Sequence, residues 1–359
     1  TAAVYRLFRL HGWSLLQQAE TNAFADALWS PRHLGEDRLP DSTGLKDWVL
    51  LEMPEPQAGQ AVAALLAKLE PPAHDKAKDT ASVLEDAAEL LVALEEHARP
   101  FSLSETAKSY LAGQVAAWAA ERTELGDDPW PLFDTDAPTD EDVSRAVLVI
   151  ARHVVLPEET WTLLWTKAEP DPAGTGAAYA SLFPMFVERW PERRSLLVDR
   201  LRRWVISEDE TVTRYAVNGS YHWLESEIGA ELRPDSDLAV LVKDIGVMIA
   251  GSRTAVLRSA LSLARWLFEQ ETPQLHTLLA DDCDRGLRAL AQRASYERRD
   301  QQFDVPSVRA GCFVLALAMR AAGFSELEGV RCWLEIAPND PLPEVRNAAA
   351  QRTLGGAEL

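Results

Sequence analysis

Cysteine is scarce in this chain: Cys283, Cys312 and Cys332 are the three among 359 residues. Few and widely spaced, they make neither a disulfide framework nor a CxxC metal or redox pair, and a reducing cytoplasm is the expected setting. Long apolar runs are missing too. No stretch reaches the roughly eighteen consecutive apolar residues of a membrane span, and the opening TAAVYRLFRLHGW lacks a signal peptide's cleavage pattern. Positive charge is in short supply, with 36 Lys and Arg against 56 Asp and Glu and a formal net charge of −20. Binding to nucleic acid draws most of its affinity from counterions released by Lys and Arg, so a field of this sign disfavours a general DNA or RNA binder. The imbalance is uneven. Residues 1–150 hold 12 basic and 26 acidic side chains and residues 151–359 hold 24 and 30, which leaves room for a local cationic groove in the second part.

Catalytic signatures are equally absent from the sequence: it contains no HExxH, no GxxxxGK[ST] and no GxSxG. The GTG run at Gly174–Gly176 lacks the third glycine and the preceding strand of a dinucleotide fingerprint. Asp134, Asp136 and Asp140 suggest a calcium loop, but Thr139 stands where glycine is needed and Arg145 where a bidentate glutamate is needed. Asp281, Asp282 and Asp284 read as the acidic first turn of a helix, where carboxylates favour the positive end. Seven histidines are scattered without an i, i+4 pair. His222, between Tyr221 and Trp223 and with Glu225 one turn on, has the richest surroundings and is read as a partly buried structural residue. No metal, cofactor or catalytic residue is expected, and an enzymatic role is disfavoured.

Apolar residues at 47% and charged residues at 26% describe a folded protein with ample core material. Within it one pattern recurs. Val143, Val212, Val256, Val308 and Val345 each open a helix-like segment with an arginine one or two places on: Arg145, Arg214, Arg258, Arg309 and Arg346. In the first four copies, apolar or small residues follow at i+4, i+7, i+8 and i+11. The sets are Val147, Ile150, Ala151, Val154; Ala216, Gly219, Ser220, Trp223; Ala260, Leu263, Ala264, Leu267; and Cys312, Leu315, Ala316, Met319. That spacing draws one stripe along a helix of period 3.6, and a unit recurring at roughly 35–50 residues, as the copies from Val212 to Val345 do, is the signature of a stacked helical repeat.

Further helices are expected over 4–29, 57–70, 79–98 and 104–123, with the short apolar run at Trp48–Leu51 also read as helix. Residues 30–44 read as a polar loop. Glu124–Asp142, with eight carboxylates and no basic residue, reads as a solvated linker. The domain reading is an N-terminal helical region over 1–126, an acidic linker over 127–142 and a repeat region over 143–359. Thr139 with Asp142, and Ser207 with Glu210, have capping-box spacing directly before a repeat valine. Pro157, Pro191, Pro234, Pro273 and Pro341 sit where helices are expected to start. Helices over 193–206, 234–250, 284–296 and 325–337 would pair with the repeat helices that follow them as antiparallel hairpins. Gly219-Ser220, on a buried face, would let helices approach closely.

The segments NDPLPEVRNAAA (Asn339–Ala350) and FDVPSVRAGC (Phe303–Cys312) resemble HEAT repeats, whose second helix opens on an acidic, proline-containing turn followed by Val-Arg. The copies at Val143, Val212 and Val256 place the arginine at i+2 instead of i+1. The resemblance covers about the last two-thirds of the chain. It implies an all-α solenoid of stacked antiparallel helix pairs, with second helices lining a concave face, in a family mostly of scaffolds and adaptors that grip proteins. Fold alone does not choose among functions. A basic and aromatic cluster runs from Arg189, Trp190, Arg193, Arg194, Arg200 and Arg202 to Tyr221, a composition enriched at binding hot spots. The expected function is recognition of a protein or peptide partner on the inner face of residues 190–320, through Arg203, Trp204, Arg214, Tyr215, Trp223, Arg258 and Arg309. Two other readings stand beside it: a nucleic-acid binder using a local Arg/aromatic groove, and an acidic inhibitor or immunity-type protein blocking a basic site. Thr1 in place of Met suggests a piece of a longer polypeptide, and scarce Lys, Asn and Ile suggest a bacterial source.

Overall fold

The computed structural model describes residues 57–71, 80–96, 101–121, 139–169, 174–227, 236–250, 256–292 and 305–355. The expectations for residues 4–51 and most of the acidic stretch, including Asp134 and Asp136, lie outside them. All regular structure among the described residues is helical, and no described helix is long and apolar enough to cross a membrane. The chain divides into two compact units, Thr1–Lys167 and Ala168–Leu359.

The first unit holds α1 (Gln57–Leu66), α2 (Thr80–Glu96), α3 (Glu105–Ala120), α4 (Asp140–Ile150) and α5 (Glu158–Ala168), which ends at the boundary. α2 packs against both α3 and α4, and Leu84, Leu91 and Leu94 of α2 are fully buried. The helix opened by Val143 therefore belongs to this unit, because its buried stripe meets α2. Its start matches the expected capping box: Thr139 Oγ1 accepts from the Asp142 amide at 3.3 Å, and the Asp142 carboxylate accepts from the Thr139 amide at 3.1 Å. Lys167 donates to the Glu121 carbonyl at 2.8 Å, which puts a cation at the negative end of the α3 dipole.

The second unit begins with a 3-10 segment (Thr175–Leu182) and α6 (Phe183–Arg189). It continues through α7 (Arg194–Val205), α8 (Glu210–Glu227), α9 (Asp237–Ala250), α10 (Leu257–Glu269), α11 (Pro273–Gln292), α12 (Val305–Ala321), α13 (Glu328–Ile336) and α14 (Pro343–Gly355). Alternate helices pack side by side. α7, α9, α11 and α13 form one row, and the segment Thr175–Leu182 with α8, α10, α12 and α14 forms the other.

The repeat stripe is buried in every full copy: in the second row for those opened by Val212, Val256 and Val308, and in the first unit for the one opened by Val143. All five opening valines are buried, and of the sixteen stripe residues in the four full copies only Ala151 is not. Leu263, Ala264 and Leu267 illustrate the rule: residues three and four apart share one face of a helix, and here that face meets its neighbours.

One helix start differs from the sequence reading, and one helix begins at its expected proline but runs on through the start expected at Asp284. α8 is capped by Asp209 and not by Ser207: the Asp209 carboxylate accepts from the amides of Thr211 (2.9 Å) and Val212 (3.1 Å), while the Ser207 hydroxyl accepts from the Asp209 amide. An aspartate directly before the first helical residue reaches the free amides that a serine two places earlier cannot. α11 starts at Pro273, because Leu275, Leu279, Cys283 and Leu287 carry one buried face through the whole span. Asp284 is therefore mid-helix. Its carboxylate, 6% exposed, accepts from the Gly329 amide at 2.6 Å and so caps the neighbouring α13 instead of its own helix.

Close approach fixes the spacing of each row. A β-carbon on Gly219 would lie 2.9 Å from the Ala180 carbonyl carbon, and one on Gly286 would lie 2.6 Å from the Ile249 carbonyl oxygen. The small residue at position 219 thus serves packing, as expected. Gly286→Ala must push α11 from α9 and is expected to cost about 2 kcal/mol in urea unfolding. The three thiols give a second test. Burial pushes the thiols of Cys283 and Cys312 far above their ordinary range, while Cys332 is only partly enclosed. An aromatic disulfide reagent is expected to modify Cys332 alone in the native protein and all three after denaturation.

Candidate functional site

The arginines of α7 hold the rows together. Arg194 donates from Nε and Nη2 to Asp237 at 2.8 and 2.9 Å, and from Nη2 to Glu227 at 2.9 Å, joining α7 to the end of α8 and the start of α9. Trp223 donates from Nε1 to the same Glu227 at 2.7 Å. One turn from the far end of α7, Arg202 donates to Asp244 of α9 at 2.7 Å. Both ion pairs link residues 42 or 43 apart, so α7 and α9 run parallel and in fixed register. The contact of Arg194 with Glu227 makes α8 antiparallel to α7. The His276 ring lies 3.0 Å from the Leu267 carbonyl, placing the end of α10 at the start of α11. Gly246 against Leu279, and Gly286 against Ile249, show that α9 and α11 are parallel. It follows that α8 and α10 run in the same direction.

Helix geometry sets the direction of each arginine relative to the buried valine. At 100° per residue, a side chain one place beyond the valine lies on the flank of the buried stripe, and one two places beyond lies on the opposite side. Arg309, at i+1, has a 12% exposed side chain, pairs with the buried Asp340 and lies 4.8 Å from the Trp333 ring. Arg346, also at i+1, is exposed and donates to the Asp340 carbonyl, so the flank position does not by itself bury the side chain. Arg214 and Arg258, at i+2, face outward, Arg258 fully and Arg214 in part.

From those two arginines a matching line of side chains runs down each helix at i, i+4, i+7 and i+11. On α8 it reads Arg214, Asn218, Tyr221, Glu225, and on α10 Arg258, Ser262, Arg265, Glu269, with Trp266 beside Arg265. None of these is buried. The helices meet where Tyr221 and Trp266 cross edge-to-face with centroids 4.9 Å apart, and Tyr221 also contacts the His222 ring at 5.1 Å. The Tyr221 hydroxyl donates to Glu225 at 3.1 Å, Arg265 lies 3.7 Å from Glu269, and the Arg214 guanidinium covers the Tyr215 ring at 4.9 Å. Guanidinium, amide, ring and carboxylate in that order form a surface suited to recognition: bidentate bonding of carboxylates, ring stacking and acceptance from cations.

Of the seven residues singled out in the sequence, Arg214 and Tyr215 lie together on α8, and Arg258 faces outward on the neighbouring α10. Arg203 is exposed on α7, in the other row. Trp204 and Trp223 are core residues, 3% and 0% exposed, packed on Phe183 at 5.8 and 6.2 Å. Trp223 is the i+11 member of its stripe, so the periodicity that makes α8 amphipathic turns it inward. Arg309 is committed to Asp340. The sequence reading missed Asn218, Ser262, Arg265, Trp266 and the two glutamates, whose signal was the i+2 arginine followed by a polar line at helical spacing. His222 has a 14% exposed side chain with Nδ1 3.6 Å from Glu225, matching its structural reading. Asp282 pairs with Arg285, and among the described residues no cluster suits a metal ion.

The chain matches no family model, no curated protein and no solved structure.

Burial alone would raise the carboxyl of Asp237, but the hydrogen bonds and charge of Arg194 outweigh it and hold the group below the usual carboxylate range. A depressed carboxyl stabilises the fold above its unfolded pKa of about 3.9, and that contribution is lost as pH falls through the lower folded value. The stability difference between the natural chain and Asp237→Asn is therefore expected to be full at about pH 6 and to shrink below about pH 4, read by urea unfolding at each pH.

Proposed function

We propose that this chain is a recognition module, a HEAT-like solenoid that holds a protein or peptide partner across the face of α8 and α10. Support for the solenoid comes from the buried valine stripes, the parallel packing of alternate helices and the resemblance of Asn339–Ala350 and Phe303–Cys312 to HEAT repeats. The observation that carries the binding reading is the half-exposed Tyr221–Trp266 pair flanked by Arg214, Arg258 and Arg265. Aromatic rings lose little conformational freedom on binding, and aromatic and arginine side chains are enriched at hot spots.

Charge favours protein over nucleic acid as the partner. Each outward arginine line ends in a glutamate, so the face alternates in sign, whereas a phosphate backbone needs contiguous positive charge. The scaffold or adaptor role, in a cytoplasmic and bacterial setting, remains part of the same proposal.

Trp266→Ala and Arg258→Glu leave the core untouched. Each is expected to weaken capture of the natural partner from lysate of the source cells by about tenfold or more, while the thermal midpoint stays unchanged. Undiminished capture by both variants would overturn the assignment of this face.

A further inference from the structure

The α8–α10 face is ordered in three bands, and the bands specify a ligand chemistry. In α8 the separation from Arg214 to Glu225 is eleven residues, and in α10 the separation from Arg258 to Glu269 is also eleven. Eleven residues amount to three turns within about 20°, so in each helix the cation and the carboxylate lie on one line about 16 Å apart. The Tyr221–Trp266 contact pairs residues 45 apart, one more than the 44 that separate Arg214 from Arg258 and Glu225 from Glu269, so each of those pairs lies level to within one residue's rise of ~1.5 Å. Because α8 and α10 run in the same direction, a positive band, a central band of Tyr221, Trp266 and the Arg265 guanidinium, and a negative band cross both helices in that order. The next helix of the row breaks the pattern: two places beyond Val308 the corresponding line on α12 reads Ala310, Val314, Leu317 and Ala321, with no charge at either end.

The helix dipoles do not account for the bands. Arg258 sits in the first turn of α10, against the positive dipole end, and Glu269 is its last residue, against the negative end. Glu225 likewise stands in the last turn of α8, which holds no basic residue. Dipole preference would place these charges the other way round.

Resting on the recognition role argued above, we infer that the ligand of this face is an extended peptide segment with an acidic end, a central aromatic side chain and a basic end. Its carboxylates meet Arg214 and Arg258, its ring stacks in the Tyr221–Trp266 band, and its cations meet Glu225 and Glu269. At about 3.3 Å per residue, a 16 Å span corresponds to about five residues of extended chain.

The test uses the whole chain and four fluorescein-labelled peptides with capped ends, followed by fluorescence anisotropy. The first carries two aspartates, a glycine, a tryptophan, a glycine and two lysines. The second and third replace the charged ends by aspartate only or lysine only, and the fourth replaces the tryptophan by alanine. The mixed peptide is expected to bind about tenfold more tightly than each of the others. In the double variant Arg214→Glu, Arg258→Glu, both outer bands are negative, so preference is expected to switch to the lysine-only peptide. An unchanged thermal midpoint certifies that the variant is folded, and the same comparison with Glu225→Lys, Glu269→Lys is expected to switch preference to the aspartate-only peptide. No binding of the mixed peptide, equal binding of all four, or failure of both folded variants to switch would overturn the inference. If the peptides fail while Trp266→Ala still abolishes partner capture, the face keeps its role and the banded ligand is wrong. If the mixed peptide binds but capture ignores Trp266, the natural partner lies elsewhere.

Discussion

The register between alternate helices is the constraint on which the second unit depends. α7 and α9 are held parallel by Arg194 with Asp237 and Arg202 with Asp244, two ion pairs with nearly the same sequence offset. Between α9 and α11 the same task falls to glycine, since Gly286 lets the helices approach until the Ile249 carbonyl fills the space a side chain would need. Between α11 and α13 it falls to Asp284, a buried carboxylate whose cost of desolvation is offset by the Gly329 amide it caps. Three different interactions set one spacing, and a helix displaced in either row would misalign every side chain it presents.

That register is what turns single residues into a surface. Tyr221 and Trp266 are 45 residues apart and meet only because their helices lie side by side at a fixed level. The same packing removes other candidates. Trp204 and Trp223 close around Phe183, and Arg309 is drawn to Asp340 beside Trp333. Composition alone would rank all of these as binding residues. Burial separates those that hold the module together from those that face outward.

Much of the fold was legible in the chain. The valine stripes predicted which faces are buried, with Ala151 the sole stripe residue left part-exposed, and the Thr139–Asp142 box marked the start of α4. What was misread has a common physical source. Asp284 looked like a first-turn carboxylate because acids favour helix N-termini, and it does serve one, but of a helix 45 residues away. Ser207 had the spacing of a cap, yet Asp209 stood closer to the free amides. Local rules identified the right chemistry in both cases and the wrong partner.

The sequence by itself determined that the chain is helical, where most described helices begin and which face of each turns inward, because period 3.6 and capping depend on residues within a turn of one another. It also turned the i+2 arginines away from the valine stripe, since the step from i+1 to i+2 rotates a side chain by 100°. Only the tertiary structure decided which outward lines become neighbours. The level of one helix against another is set by long-range ion pairs and by backbone approach at glycine, and those contacts join residues tens of positions apart that no local pattern connects.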